Sequence, residues 1–257
     1  MIIEEFVKGS GQYVILPEGM ELMDKITDLL KEYIAEELRF RKVSLPKIVP
    51  KSTLEKAEIF EKWDQYLIEV NPYRFPEGET KGVKERYFMD PLQCLAFYQS
   101  FENKIIESPI RWYDQSGPTY RNEDLDKIIP GIKQREFHRA EFVYMGPPKE
   151  VEKIADQCLV QLEKLCIDIG LKYRIVPGDS CYDKGDIEVR DIEVFIPGYK
   201  NKEGEPWLEL AGVSNKYDFQ IKNFNIQSKD RKELWSGCMG IGLDRFMTAV
   251  YKNGIDL

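Results

Sequence analysis

The 257-residue chain carries 45 acidic against 37 basic side chains, a formal net charge of −8, and is 42% hydrophobic and 32% charged. That size supports one large domain with a substantial core, while the acidic balance excludes a broad nonspecific nucleic-acid surface but not a narrow basic groove. No segment approaches the roughly 18 apolar residues of a membrane span and the acidic start MIIEEF is no secretory signal, so a cytoplasmic protein without membrane contact is expected.

In chain order, QYVILPEG reads as a strand ending in a turn, and Met20, Met23, Ile26, Leu29, Leu30, Ile34 and Leu38 recur at helical spacing through residues 20–40. RKVSLPKIVP follows as a short strand stopped at Pro46 and Pro50. Ser52-Thr53-Leu54-Glu55 has the form of a capping box and predicts a helix to about Ile68. NPYRFPEGETKG is a polar loop. Asp90-Pro91 then offers an N-cap and a proline at the first helical position, which puts Cys94 in the first turn of another helix. There it is either a small buried apolar group or a stabilised thiolate suited to ligation.

Tyr120 to Gly146, YRNEDLDKIIPGIKQREFHRAEFVYMG, alternates like a strand at both ends and turns at Pro130-Gly131. The alternation puts Arg121 with Glu123, and Phe137 with Arg139, Glu141 and Val143, on common faces of a long-tipped hairpin. An arginine, a carboxylate and an aromatic ring on one rigid face suit a nucleoside triphosphate: charge-assisted bonds to phosphate, an acceptor for an exocyclic amine and a stacking surface. A solvated hairpin with alternating charges is the competing reading, and these residues alone leave both open. His138, the single histidine, falls on the opposite face, which indicates a structural role.

After Pro147-Pro148, the stripe Val151, Ile154, Ala155, Cys158, Leu162, Leu165 and Cys166 predicts an amphipathic helix closed by Gly170, with both cysteines as core filling. LKYRIVPG reads as a buried strand and GDSCYDKG as a turn-rich connection in which Asp179 and Asp183 cap turns or line a pocket. IEVRDIEVFIPG, WLELAGVS and KYDFQIKNFNIQ predict three strands of an antiparallel meander. A last helix is expected from about Gly240 to Tyr251, after glycines that let the backbone approach a ligand closely. The five cysteines, at 94, 158, 166, 181 and 238, form no CxxC pair, so any metal site must be assembled from distant positions.

Several ordered segments then resemble one family. Arg121-Asn122-Glu123 with Phe137 and Glu141 resembles the second signature motif of class II aminoacyl-tRNA synthetases, and Gly240-Ile241-Gly242-Leu243-Asp244-Arg245 the third. REFHRAEFVYMG, DIEVFIPG, WLELAGVSNKYDFQIKNFNI and LWSGCMGIGLDRF together are similar to the catalytic core of the zinc-dependent seryl-tRNA synthetases of methanogens, and equally to truncated homologues that load amino acids onto carrier proteins. The resemblance implies an α+β fold, a mostly antiparallel sheet flanked by helices, forming one catalytic domain over residues 1–257. The helix, strand and proline of residues 20–50 resemble the first class II motif, which in that family builds a homodimer.

Carried over position by position, the resemblance implies activation of a small amino acid (serine, glycine or alanine) by ATP. Arg121 is expected on the α-phosphate and attacking carboxylate, Arg245 on the γ-phosphate and over the adenine, Phe137 stacked beneath it and Glu123 on its amine. Glu209 matches a Mg²⁺ ligand, but the usual Asn or Ser three residues on is Gly212 here, leaving a water or a neighbour such as Ser214 for that position. Cys94, Glu141 and Cys238 match the residues that hold a Zn²⁺ for the substrate amine, with a fourth coordination position open. Lys133 and Arg135, in the hairpin tip, are candidates for contact with ATP or the acceptor.

For the second half-reaction, the class II motifs begin by about residue 20, which leaves no preceding tRNA-binding domain. Transfer to the phosphopantetheine thiol of a carrier protein is therefore the expected step. The alternatives are a synthetase, or catalytic fragment of one, charging tRNA, and a non-catalytic paralogue acting as a regulator.

Overall fold

The computed structural model describes residues 2–70, 85–182 and 187–257. The polar loop 71–82 and Asp183 lie outside the described residues. A small hairpin of β1 (Ile3–Glu5) and β2 (Tyr13–Ile15) leads into α1 (Pro17–Leu30), which runs on as a wider π-helical turn over Lys31–Glu36. Next come β3 (Arg41–Lys42), β4 (Ile48–Pro50), α2 (Lys51–Lys56), β5 (Glu69–Val70), β6 (Tyr87–Met89), α3 (Cys94–Ser100) and β7 (Ile105–Ile106). The central segment is β8 (Ile110–Asp114), β9 (Pro118–Tyr120), β10 (Glu136–Gly146) and α4 (Pro148–Asp168). The chain finishes with β11 (Tyr173–Pro177), β12 (Glu188–Phe195), β13 (Trp207–Tyr217), α5 (Phe219–Asn223), β14 (Gln227–Ser228), β15 (Trp235–Gly242) and α6 (Leu243–Lys252).

The main sheet has the order β11-β12-β13-β15-β10-β8-β3, with β9 pairing the far half of β10. Every pairing is antiparallel except β3 with β8. The expected α+β class with a mainly antiparallel sheet is thus what the chain forms. Both faces are covered, and β10 shows how. Phe142 and Tyr144 enter a core with α1, α4 and α6, whereas Val143 and Met145 enter a second core with α2, α3 and α5. A strand buried on both sides keeps no polar face except where a cleft opens, and on β10 that is its N-terminal half, from Phe137 to Glu141. Among the described residues no helix is long and apolar enough to cross a membrane.

Several predicted elements differ. The capping box at Ser52 is unused: α2 starts after Pro50 and stops at Lys56 because Ala57 and Ile59 are drawn into the second core, with Glu58 between them at a φ of 58°. The helix predicted at Asp90-Pro91 begins at Cys94, since the Asp90 carboxylate accepts the Leu92 amide (3.2 Å) in a turn instead. KYDFQIKNFNIQ is no long strand: Tyr217 takes a φ of 48°, and the short helix α5 buries Ile221, with Phe224 and Ile226 following into the core. The meander takes β15 as its third member. β11 is an edge strand with Ile175 exposed, and α6 starts at Leu243, leaving Gly240 in mid-strand. The stripe predicted on α4 is buried as expected, and Gly170 follows its C-cap at a φ of 76°.

Candidate active site

The strand register lays a floor for the cleft. Glu141 of β10 faces Gly240 of β15, Gly240 faces Gly212 of β13, and Gly212 faces Asp191 of β12. Residues directly opposite across an antiparallel sheet point to the same side, so two glycines lie side by side between two carboxylates. One row along, Val143, Cys238, Ser214 and Val189 are aligned in the same way. The β12–β13 register shifts between Ile192 and Glu193, with Leu210 as the extra residue. That bulge turns Glu209 onto the side of Gly212, three residues away, an odd spacing that would otherwise separate them.

Gly240 is required by a close approach: a Cβ there would meet the Arg139 guanidinium at 1.7 Å. Arg139 lies across the glycine and its Nε is 3.0 Å from Glu141 Oε2. Sequence alternation already put Arg139 on this face, yet assigned it no role; it lines the cleft from end to end. Arg121 continues the hairpin ladder by one bond, its amide donating to Arg135 O (2.9 Å), although regular pairing ends at Tyr120. Its guanidinium lies over the rings of Trp63 (4.7 Å) and Phe137 (5.2 Å). Burial, then the charges of Arg139 and Arg245, bring its pKa down to about 10. Trp63 was invisible to sequence reasoning because it comes from the irregular segment after α2.

Arg245, from the first turn of α6, donates Nε to Ile132 O (3.0 Å) and Nη1 to Glu209 O (2.8 Å), and Nη1 is 3.3 Å from Glu209 Oε2. The Arg245 charge holds the Glu209 carboxyl below its ordinary value. Arg121, Arg245, Glu123, Phe137 and Glu209 all line one cavity. Its rim is the hairpin tip, tied down by Thr248 Oγ1 donating to Gly131 O (3.1 Å) and by the Gly131 amide donating to Gln134 Oε1 (2.6 Å). Lys133 Nζ reaches Glu123 Oε2 (3.0 Å) and Arg135 Nε donates to Glu123 O (3.0 Å), so the tip's cations brace Glu123. The His138 amide donates to the Asp244 carboxylate, and its Nδ1 lies 3.6 Å from Asp244 Oδ1, which fastens β10 to α6 and raises the His138 pKa.

A second cavity of about 530 Å³ continues from Trp63 and Arg121 to Cys238 and also touches Asp179. At its inner end Cys94, Glu141 and Cys238, all buried, bring their ligand atoms within 4.8 Å of one another. The sequence could name these three residues but could not show that they converge. Glu141 Oε2 has no aligned hydrogen-bond partner despite the nearby Arg139 charge, and burial pushes the Glu141 carboxyl up to about 8. A hydrogen bond from Cys238 lowers the Cys94 pKa against burial, with the Lys216 charge acting in the same sense; the same bond and burial raise Cys238. Lys216 is itself fully buried and donates Nζ to Cys94 Sγ (3.2 Å), beside the rings of Tyr98 (5.3 Å) and Tyr182 (5.6 Å). No sequence signal singled it out, since a lysine in WLELAGVSNKY reads as surface. Ser214 Oγ lies 3.5 Å from Cys238 Sγ.

A family model described as the tRNA synthetase class II core domain (G, H, P, S and T) matches residues 73–254. The chain belongs to this family. Type-2 serine–tRNA ligases of Methanopyrus kandleri and Methanocaldococcus jannaschii are 25% and 27% identical over 96% and 93% of this class II core. The core in turn covers 54% and 52% of those proteins, so the chain spans about half the length of the curated relatives it matches. M. kandleri SerRS, solved in complex with A. aeolicus tRNASec, superposes with a TM-score of 0.86 at 24% identity, over 99% of this chain and 55% of that one. The cytoplasmic serine–tRNA ligase of Naegleria fowleri, solved with AMP, gives 0.78 at 16% identity, over 96% and 51%. These two likenesses carry the class II fold.

One expectation is overturned. Transfer to a carrier-protein thiol was inferred from length and acidity, but these relatives are named for tRNA as acceptor. The inference failed because the residues that build the class II cleft are shared whatever the acceptor, and total length and net charge report nothing about the surface that receives it.

Proposed function

We propose that this core activates serine with ATP and passes the seryl group to tRNA. The observation that carries the reading is the meeting of Arg121, Arg245 and Glu209 in a cleft whose inner end is the Cys94–Glu141–Cys238 cluster. In the first step the serine carboxylate attacks the α-phosphorus of ATP, forming an acyl–phosphate bond as pyrophosphate departs; in the second a tRNA ribose hydroxyl takes the acyl group and AMP leaves. The protein's work in such a displacement is alignment and charge neutralisation. Arg121 neutralises charge at the α-phosphate and the incoming carboxylate, and Phe137 and Trp63 flank its guanidinium so that it acts from a fixed position. Arg245, anchored by two carbonyls, takes the far phosphates, and Glu123 accepts the adenine amine.

Two implied cations fit the residues present. Two thiols and a carboxylate with an orphaned buried oxygen form a donor set that suits Zn²⁺ and leaves one position open. Bound there, Zn²⁺ supplies a Lewis-acid anchor for the substrate amine. Glu209 offers a carboxylate oxygen to Mg²⁺, which neutralises phosphate charge. The helix and short strands between residues 17 and 50 support a homodimer of the class II kind.

The test is pyrophosphate exchange into ATP across the standard amino acids, followed by charging of tRNA. Serine-dependent exchange and seryl-tRNA are expected. Exchange with no amino acid removes the whole reading; exchange without any charging removes the tRNA step and leaves activation standing.

A further inference from the structure

The family's second oxygen ligand for Mg²⁺ is missing from β13, where residue 212 is a glycine, and the structure shows what fills the space instead. A Cβ built on Gly212 would lie 2.8 Å from Asp191 Oδ1, and a Cβ on Gly178 would lie 2.5 Å from the same carboxyl group. The Asp191 carboxylate is therefore wedged between two glycines, in the volume that a side chain at 212 would occupy. It comes from the adjacent strand, directly opposite Gly212, and shares with Glu209 the side of the sheet to which the Leu210 bulge turns that residue.

We propose that Asp191 supplies from β12 the oxygen ligand that β13 lacks, so that Asp191 and Glu209 together hold the divalent cation accompanying the triphosphate. The inference rests on the reading of this cleft as an ATP site. Mg²⁺ takes oxygen ligands and is commonly held by one or two carboxylates together with substrate phosphates, the remaining positions being water. The surroundings of Asp191 suit such a cation: the carboxylates of Glu209, Glu193 and Asp179 all act on it, with Arg245 the weaker opposing charge. A cation shared with Glu209 relieves that repulsion. Ser214, the other neighbour on β13, is one row away and turned to Cys238 at 3.5 Å, so it serves the thiol cluster. The arrangement moves one ligand across a strand pair without moving the site.

The experiment uses Mn²⁺ as the probe, its binding to the full chain followed by electron paramagnetic resonance in the presence of an ATP analogue with a non-cleavable α,β bridge. Asp191→Ala, which leaves no side-chain oxygen at that position of β12, is expected to weaken Mn²⁺ binding by roughly tenfold or more, an effect of the size seen when metal-site residues are altered. The analogue's affinity without metal should stay within about threefold of wild type, and Glu209→Gln serves as the positive control. The double variant Asp191→Gly with Gly212→Asn restores an oxygen ligand on β13, and with it Mn²⁺ affinity; it also supplies the test should Asp191→Ala unfold. Undiminished Mn²⁺ affinity in Asp191→Ala, or a double variant that binds no better than Glu209→Gln, overturns the inference while leaving the ATP site intact. A wild-type chain that binds neither analogue nor Mn²⁺ overturns the function reading, and this inference with it.

Discussion

Gly240→Ala tests whether Arg139 is placed by the absence of a side chain beneath it. The new Cβ would stand 1.7 Å from Arg139 Nη2, half the 3.4 Å at which ordinary contact begins. The guanidinium is the part that moves, and in retreating it gives up its 3.0 Å approach to the buried Glu141. Removing one partner of a fully charged buried pair costs about 3–5 kcal/mol. In metal-free protein the cost is smaller, because with a pKa of about 8 the Glu141 carboxyl mostly carries its proton at neutral pH. What is lost is a close approach short of an aligned hydrogen bond, about 1 kcal/mol or less, with overpacking of about 1–3 kcal/mol added. We expect a destabilisation of about 2–3 kcal/mol, or roughly 5–10 °C in Tm for a chain of this size. The assay is denaturant unfolding of metal-stripped wild type, Gly240→Ala, Arg139→Ala and the double variant. In the Arg139→Ala background the three atoms nearest the extra methyl are gone, so its cost should fall below about 1 kcal/mol, a coupling of the kind neighbouring residues show. Equal costs of Gly240→Ala in both backgrounds would refute the argument.

The His138 pKa is raised, first by the Asp244 carboxylate 3.6 Å from its Nδ1 and against burial. A raised folded-state value means that its contribution to stability is complete below about pH 6.5, the ordinary histidine value, and is lost as pH rises through the higher folded value. His138→Gln should therefore flatten the fall in stability measured between mildly acidic and alkaline pH; parallel curves for the two proteins would remove the pairing. Metal analysis of the purified chain is expected to give about one zinc per chain, and Cys238→Ala to lose it; full metal content in that variant excludes Cys238 from the site. In metal-stripped protein, Lys216→Met removes the ammonium 3.2 Å from Cys94, so the thiolate absorbance should titrate at higher pH than in wild type, and an unchanged titration would show that Lys216 exerts no charge on the pair.

Local chemistry made part of this protein legible. The α4 stripe, the alternation along β10 and the Gly170 stop all follow from spacing within one element, where neighbours in sequence are neighbours in space. The helix predicted past Lys56 and the strand predicted over residues 216–227 failed at residues such as Ile59 and Ile221, whose apolar side chains are claimed by the second core. That competition is tertiary and leaves no trace in a local window. Within the cleft, Arg121, Glu123, Phe137, Glu141, Glu209 and Arg245 could be named because motif order marks them, whereas Trp63 and Lys216 belong to no motif.

By itself the sequence determined residue chemistry and strand periodicity: two thiols and a carboxylate able to ligate, two arginines able to neutralise phosphate, and glycines where a side chain would obstruct. Only the tertiary structure decided their partners. It brought Cys94 of α3 to Cys238 of β15 and to Lys216 of β13, and it set Asp191 opposite Gly212, through a register and a single-residue bulge. Register is a property of strand pairs, fixed by what both faces of the sheet bury, so no reading along one strand contains it.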